Sequence, residues 1–232
     1  MLELPENPKA FALLAHCFTC GKDLKGAARI ARKLTENAIA VLRFDFTGLG
    51  NSEGDFSNTN FSSNISDLLC AVDYLRRQYE APSLLIGHSL GGSAILSIAG
   101  EVPEAKAVVT IGSPGELTHV KRLFKDDVEN INQHGAYPVE LAGRVFTLKK
   151  QMLDNIQEHK IAHKVFAMNK PLLIFHATED DTVLIEQAEK IFKAAKHPKS
   201  FISLGKADHL LTHAQDAEYV ADIIISWSEC YL

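Results

Sequence analysis

The 232-residue sequence has no run of basic residues and no long uninterrupted apolar stretch. Its 24 Lys and Arg residues are scattered among 29 Asp and Glu residues, which gives a formal net charge of −5. No segment could neutralise a series of phosphates, so nucleic acid is not expected as a partner. No window reaches the ~20 apolar residues of a membrane span, and the start of the chain lacks the basic and apolar regions of a signal peptide. We therefore expect a cytoplasmic protein with no membrane span.

Cysteine is also scarce, since the chain contains only Cys17, Cys20, Cys70 and Cys230. Four scattered cysteines are too few for a disulfide framework in a chain of this length. The segment "CFTC" has the C-x-x-C spacing of redox dithiols, so a redox role for Cys17 and Cys20 stays an alternative. A zinc site would need a second pair of soft ligands at similar spacing, and the sequence has none. We expect neither a metal nor a cofactor.

Short apolar runs alternate with amphipathic segments of helical length along most of the chain. The apolar runs, which predict buried strands, cover 10–16, 38–46, 83–88, 105–113, 171–178 and 200–204. This alternation predicts an α/β protein with a mostly parallel sheet covered by helices on both faces. With 46% hydrophobic residues, the chain can bury one large core, so a single domain spanning 1–232 is expected.

The interval 114–170 interrupts this alternation. It is polar, contains amphipathic pieces and has no run typical of a buried strand. Structureless loops of this length are rare within compact domains. The interval therefore predicts a small cap inserted over one end of the sheet.

The segment Gly87-His88-Ser89-Leu90-Gly91 lies where a predicted strand must turn sharply into a helix. Such a turn exposes the serine Oγ above the carboxyl edge of the sheet, beside the free N–H groups of a helix N-terminus. Side chains two residues before and two after the serine would collide with neighbouring backbone, which explains both glycines. Ser89 is therefore a candidate nucleophile; the alternative is a glycine-rich turn that only packs against the sheet.

A serine hydroxyl needs a base, and the base needs a carboxylate to orient it. Glu179, Asp180 and Asp181 follow one predicted strand, and His209 follows the next. The order Ser, Asp, His is typical of this architecture. The alternative for His209 is an ordinary solvated loop residue, because the chain contains ten histidines.

These residues carry a resemblance to the α/β-hydrolase superfamily, and more closely to serine hydrolases that some bacteria fuse to an OsmC-like domain. The matching segments are "AHCFTCGKD", "RFDFTGLGNSEG", "GHSLGG", "FHATEDDTV" and "ADHLL". The resemblance implies Ser89 as nucleophile, His209 as general base and Asp180 as the orienting carboxylate. It also implies an oxyanion hole made by the backbone N–H groups of Phe18 and Leu90, with Cys17 at the mouth of the site.

Two departures from the resembled family add further expectations. Only a short segment precedes the first predicted strand, so the usual opening hairpin is expected to be missing and the sheet to have about six strands. The sequence ends directly after its last predicted helix, so no OsmC-like domain is expected.

The resulting hypothesis is a serine hydrolase that cleaves carboxylic esters or related small acyl compounds through an acyl-enzyme. Acyl transfer, hydrolysis of small peptides or amides, and a non-catalytic ligand-binding homologue remain alternatives. For the third triad position, the D-x-x-V spacing to Val183 favours Asp180 over Asp181. Asp181 is then expected to cap a helix that begins near Leu184.

Overall fold

A computed structural model describes residues 1–141 and 143–232, and over these residues strands and helices alternate. The strands are β1 (Leu2–Glu3), β2 (Ala10–Ala15), β3 (Ile39–Arg43), β4 (Leu84–His88), β5 (Ala107–Ile111), β6 (Ala136–Leu141), β7 (Arg144–Lys149), β8 (Leu172–His176) and β9 (Lys199–Ser203). The helices are α1 (Lys25–Glu36), α2 (Phe61–Gln78), α3 (Leu90–Ile98), α4 (Val128–His134), α5 (Lys150–Glu158), α6 (Ile161–Met168), α7 (Glu186–Ala194) and α8 (Ala214–Ser228).

The main sheet of the described chain has seven strands in the order β1-β3-β2-β4-β5-β8-β9. All neighbours pair in parallel except β1, which pairs antiparallel with β3. The expectation of about six strands was therefore wrong, because a short strand does precede β2. Two residues are too few to show a strand period in the sequence. The β1 segment is also held by an ion pair between Glu3 and the buried Arg43.

Helices cover both faces of this sheet, as the alternation predicted. Successive residues of one strand enter opposite cores: Leu13 of β2 packs with the residues of α2 and α3, and Leu14 packs with those of α1 and α8. Both side chains are almost completely buried. This burial on both faces explains why the parallel strands appear as nearly continuous apolar runs in the sequence.

The interval between β5 and β8 contains helices α4 to α6 and a hairpin of β6 and β7. The two strands pair antiparallel, with Val139 opposite Phe146. The sequence analysis found no strand here, because only alternate residues of β6 are buried and Pro138 interrupts its pattern. Proline and alternation are both compatible with a short two-stranded ribbon that is exposed on one side.

Two glycines allow the sharp turn from β4 into α3. A Cβ atom added to Gly87 would lie 2.4 Å from the Cα of Gly92, and one added to Gly91 would lie 2.3 Å from the carbonyl oxygen of His16. Both neighbours are backbone atoms and cannot swing away. The collision that the sequence analysis expected at these two positions is therefore confirmed.

We predict that Gly91→Ala destabilises the protein by about 3 kcal/mol, the upper end of the usual cost of overpacking. The matched control is Gly100→Ala, because a Cβ at Gly100 would meet its nearest neighbour, the Cα of Met168, at 3.6 Å. Urea unfolding of both variants measures the difference. Equal stabilities would contradict the close approach of α3 to the end of β2.

Candidate active site

The structure brings Ser89, Asp180 and His209 together at the carboxyl edge of the sheet. The Nε2 atom of His209 lies 3.0 Å from the Ser89 Oγ, and its Nδ1 atom lies 2.7 Å from Asp180 Oδ2. Because a carboxylate can only accept, Nδ1 carries the proton and Nε2 accepts the serine hydroxyl proton. Ser89 and Asp180 are buried, whereas His209 is half-buried and can reach a bound molecule.

Ser89 has a strained backbone, with φ 54° and ψ −128°. A non-glycine residue at positive φ is uncommon and occurs where the surrounding structure enforces it. Here the Ser89 N–H donates to the carbonyl of Ile111 at 2.8 Å, which ties the turn to β5. Leu90 begins α3 directly afterwards, so its N–H has no acceptor within the helix.

Asp180 is fixed by its own loop. Its Oδ1 atom accepts the backbone N–H groups of Thr182 at 3.0 Å and Val183 at 2.9 Å, which leaves Oδ2 for His209. The expected capping role of Asp181 was wrong, because α7 begins only at Glu186 and Asp181 accepts just the neighbouring Thr182 hydroxyl. The carboxylate that holds the free N–H groups of this loop is Asp180 itself.

The same contacts set the charge of Asp180. Burial alone would raise its pKa, but the hydrogen bonds from His209 and Val183 outweigh burial and hold the pKa below its ordinary value. Asp180 is therefore ionised at neutral pH. An ionised carboxylate at this position stabilises a positive charge on the His209 ring.

Three further histidines lie at or directly after the carboxyl ends of β2, β4 and β8, and each donates to a backbone carbonyl. His16 Nδ1 donates to Cys17, His88 Nε2 to His209 and His176 Nε2 to Val183, all at 2.7 Å. These carbonyls belong to the loops that follow β2, β9 and β8. The sequence analysis assigned no role to these three residues.

A signal for these histidines was present in the sequence. The segments "AFALLAH", "SLLIGH" and "PLLIFH" each end an apolar strand with a histidine. Parallel strands bring such ends to one edge of a sheet, so the three rings belong together. Burial is the first cause that lowers the pKa of each of the three histidines, and all three are neutral donors at neutral pH.

The loop that carries Phe18 is closed by more than one contact. A disulfide joins Cys17 and Cys20, and the Cys20 N–H donates to the Cys17 carbonyl at 3.3 Å. The sequence analysis noted the C-x-x-C spacing of this pair only as a possible redox dithiol and did not predict a disulfide, because four scattered cysteines are too few for a disulfide framework. Phe18 lies inside the closed segment and lines the same cavity as Ser89.

A cavity of about 260 Å³ opens beside the three central residues. Its walls include Phe18, Leu123, Leu141 and Leu210, with the carboxylate of Glu140 among the lining groups. Leu123, Glu140 and Leu141 come from the interval 114–170. The predicted cap segment therefore does contribute one wall of this cavity.

Gly112 makes room for the pair formed by His209 and Asp180. A Cβ at this position would lie 3.3 Å from His209 Nδ1, and the backbone has φ 55°. Pattern analysis could not identify this glycine, because the requirement comes from two loops that are distant in sequence.

Within residues 1–141 and 143–232, no group of three or more His, Cys, Asp or Glu side chains is arranged to hold a metal ion. Over the same residues, no helix has the length and apolarity needed to cross a membrane.

We predict that the unfolding free energy falls as the pH decreases below about 6.5, the ordinary pKa of histidine. Below that pH the unfolded chain takes up protons at His16, His88 and His176, which the native state resists because burial lowers each pKa. Urea unfolding from pH 7 to about pH 5, above the range where most carboxylates titrate, measures the slope.

Two matched variants, His176→Gln and Ser97→Ala, test how the unfolding free energy depends on pH. Replacing His176 removes one titrating group and should flatten the slope. Ser97 is buried but does not titrate, so its replacement should shift stability equally at every pH. An unchanged slope in His176→Gln would contradict the neutral state of the buried ring.

Comparison with known proteins gives the family. A family model described as serine aminopeptidase, S33 matches residues 6–134. The esterase domain of a Rhodothermus marinus protein is 45% identical, with a TM-score of 0.79 and coverage of 99% of this chain and 91% of that one. Est1E from Butyrivibrio proteoclasticus with bound ferulic acid is 22% identical and shows likeness of fold alone, with a TM-score of 0.79 over 100% of this chain and 94% of that one.

The mitochondrial palmitoyl-protein thioesterase ABHD10 of Bos taurus is 26% identical over 151 residues, which is 62% of this chain. This chain spans about half of that relative, because the match covers 48% of its length. The seven-stranded sheet and the solved neighbours agree on an α/β-hydrolase fold. Since the family model matches more than half of the residues, the chain belongs to the serine aminopeptidase S33 family of the α/β-hydrolase superfamily.

Proposed function

We propose that this protein is a serine hydrolase that cleaves carboxylic esters and thioesters of small acyl groups through an acyl-enzyme. The observation that carries the proposal is the hydrogen-bonded chain from Ser89 Oγ through His209 to Asp180, at 3.0 and 2.7 Å. The 3.0 Å distance is within the range required for proton transfer from a nucleophile to a base, and the 2.7 Å distance is that of a hydrogen bond that orients the base.

In the first half of the reaction, the Ser89 oxygen attacks the carbonyl carbon of the substrate while His209 Nε2 takes the hydroxyl proton. The carbonyl oxygen becomes an oxyanion, which accepts hydrogen bonds from the backbone N–H groups of Phe18 and Leu90. Asp180 stabilises the imidazolium but does not take its proton. When the tetrahedral intermediate collapses, His209 gives the proton to the leaving oxygen or sulfur.

In the second half, a water molecule replaces the leaving group. His209 Nε2 takes a proton from the water as it attacks the acyl carbon, and a second oxyanion occupies the same site. Its collapse releases the carboxylic acid, and His209 returns the proton to the Ser89 oxygen. The two halves use the same three side chains and need no cofactor.

The substrate class follows from the cavity and from the relatives. A cavity of about 260 Å³ with several apolar walls suits a small acyl group better than a long chain. The Rhodothermus marinus relative is named an esterase and the bovine relative a thioesterase, so oxygen and sulfur esters both belong in the proposal. Acyl transfer and amide hydrolysis would use the same triad.

We predict that Ser89→Ala abolishes hydrolysis of short-chain esters and thioesters, with a loss of about 10⁴-fold or more in kcat. Incubation with a fluorophosphonate probe, followed by intact mass measurement, should give one adduct on the parent and none on this variant. The control is Ser97→Ala, a buried serine on α3 that makes no contact with the triad. Activity of Ser89→Ala within tenfold of the parent would refute the assignment.

A second prediction separates the adjacent carboxylates. Asp180→Asn should cost about 10⁴-fold in kcat, because an amide holds the His209 ring in the wrong tautomer. Asp181→Asn should stay within about tenfold, since Asp181 is exposed and makes no contact with His209. Steady-state kinetics on one ester compares both variants. If Asp181→Asn were the inactive one, the proposed triad would have the wrong acid.

A further inference from the structure

The imidazole of His88 points away from the catalytic cavity, into the core between the sheet and α1. It is 4% exposed and lines a small space together with apolar side chains: Leu14, Leu24, Ala27, Ile30, Ile86, Ile111, Leu210 and Leu211. Because His88 directly precedes Ser89, any constraint on its ring acts on the backbone of the nucleophile. The proposed reaction does not use this side chain.

The side chain of His88 makes one hydrogen bond within the described residues, and its partner is the backbone of the proposed general base. Its Nε2–H donates to the His209 carbonyl at 2.7 Å, across 121 positions of sequence. His209 is thus held at two points, since its ring nitrogen also donates to Asp180. Two adjacent residues, His88 and Ser89, therefore each make a hydrogen bond to His209. These two bonds join the turn at Ser89 to the loop that carries His209.

The loop that carries His209 has no regular secondary structure between β9 and α8. Leu211 has a positive φ of 53°, a strained conformation for a leucine. Asp208 fixes the part after His209 by accepting the N–H groups of Leu210 and Thr212. The His209 carbonyl is therefore the point at which the part of this loop around His209 is tied to the end of β4.

The donor is neutral. Burial lowers the pKa of His88 to about 3, and the next cause is the positive charge of a protonated His209, whose ring centroid lies 5.1 Å away. Asp180 acts in the opposite direction, and His16 is the remaining titratable group that acts on the ring. A charged donor at this distance would oppose the imidazolium that the reaction forms on His209.

The second ring nitrogen supports this assignment. Within the described residues, His88 Nδ1 is buried and has no hydrogen-bond partner. An unsatisfied buried polar atom costs stability. A purely apolar side chain would fill the same space without this cost, so the Nε2–H donor is the feature that justifies a histidine here.

We infer that His88 is a positioning residue that holds the backbone of His209 in register with Ser89 through a neutral N–H donor. This inference rests on the proposed function, because it assigns His88 a part in the same reaction. It predicts that kcat depends on the N–H donor at this position and not on the shape of the ring.

The test compares three variants of the full chain. His88→Gln keeps an amide N–H near the position of Nε2, and His88→Leu keeps the volume but removes the donor. Thr110→Val is the control, because Thr110 is a buried polar residue with an unpartnered hydroxyl and no contact with the triad. For each, kcat and KM on a short-chain ester are measured from pH 5 to pH 9, together with urea unfolding.

We expect His88→Leu to lose about 10²-fold in kcat, the usual effect of a displacement of about 1 Å in a catalytic group. Its KM should change little, because the ring does not line the cavity. The acid limb of kcat/KM should move to lower pH, since a loosened His209 is less well stabilised by Asp180. His88→Gln should stay within about tenfold of the parent, and Thr110→Val should match it.

Two outcomes of the kinetic measurements would overturn the inference. One is a His88→Leu variant with parental kcat and an unmoved acid limb. The other is an equal loss in the Gln and Leu variants that follows their loss of stability, which would indicate only a packing role.

A spectroscopic measurement keeps the inference separate from the proposed function. In a ¹H–¹⁵N spectrum of the parent protein, the His88 imidazole should show a slowly exchanging Nε2–H and an unprotonated Nδ1 from pH 5 to pH 8. If the parent hydrolysed no acyl compound and gave no probe adduct, the proposed function would fail while this spectrum still reported the hydrogen bond. A rapidly exchanging or Nδ1-protonated ring would overturn the inference in either case.

Discussion

The position of Ser89, the proposed nucleophile, depends on one close backbone approach, in which α3 begins against the ends of β2 and β4. The His16 carbonyl occupies the space that a side chain on Gly91 would need, and the Cα of Gly92 occupies the space next to Gly87. Because no side chain separates these segments, Ser89 is forced to positive φ. The turn that raises its Oγ above the sheet is thus a consequence of backbone packing. Because a protein interior is densely packed, the surrounding residues leave no space for this turn to relax.

Patterns that depend on local sequence predicted most of this architecture. The strands at β2, β4, β5 and β8 are apolar runs buried on both faces, and the glycines around Ser89 follow from the geometry of one turn. The β1 strand and the hairpin of β6 and β7 were missed because a two-residue strand has no period and a ribbon with one exposed side has a weak one. The proposed placement of Asp180 and His209 came from the order of the motifs along the chain. The need for glycine at position 112 and the wrong role expected for Asp181 could not be predicted in this way, because both depend on how separate loops meet.

A histidine at the end of a buried strand donates a hydrogen bond to a loop carbonyl at the edge of this sheet. The loops after β2, β8 and β9 leave the sheet and lose its ladder of hydrogen bonds, yet their carbonyls remain buried and need donors. His16, His176 and His88 supply one N–H each, and burial keeps them uncharged by lowering each pKa. A lysine or arginine would bring a positive charge next to the ring of His209, and an apolar residue would leave a carbonyl without a donor. A neutral imidazole supplies the donor without the charge.

The elements that hold the proposed triad differ in origin from those that form one wall of the cavity. Ser89, Asp180 and His209 all lie just beyond the strands of the main sheet, and their partners are backbone groups of the same edge. Leu123, Glu140 and Leu141, by contrast, belong to the segment inserted between β5 and β8. Substitutions in that segment can change the size and charge of the cavity without moving the hydrogen bonds among the three side chains. In the proposed reaction, the chemistry would therefore depend on the sheet edge, while the choice of acyl substrate would depend partly on an insertion that the sheet does not constrain.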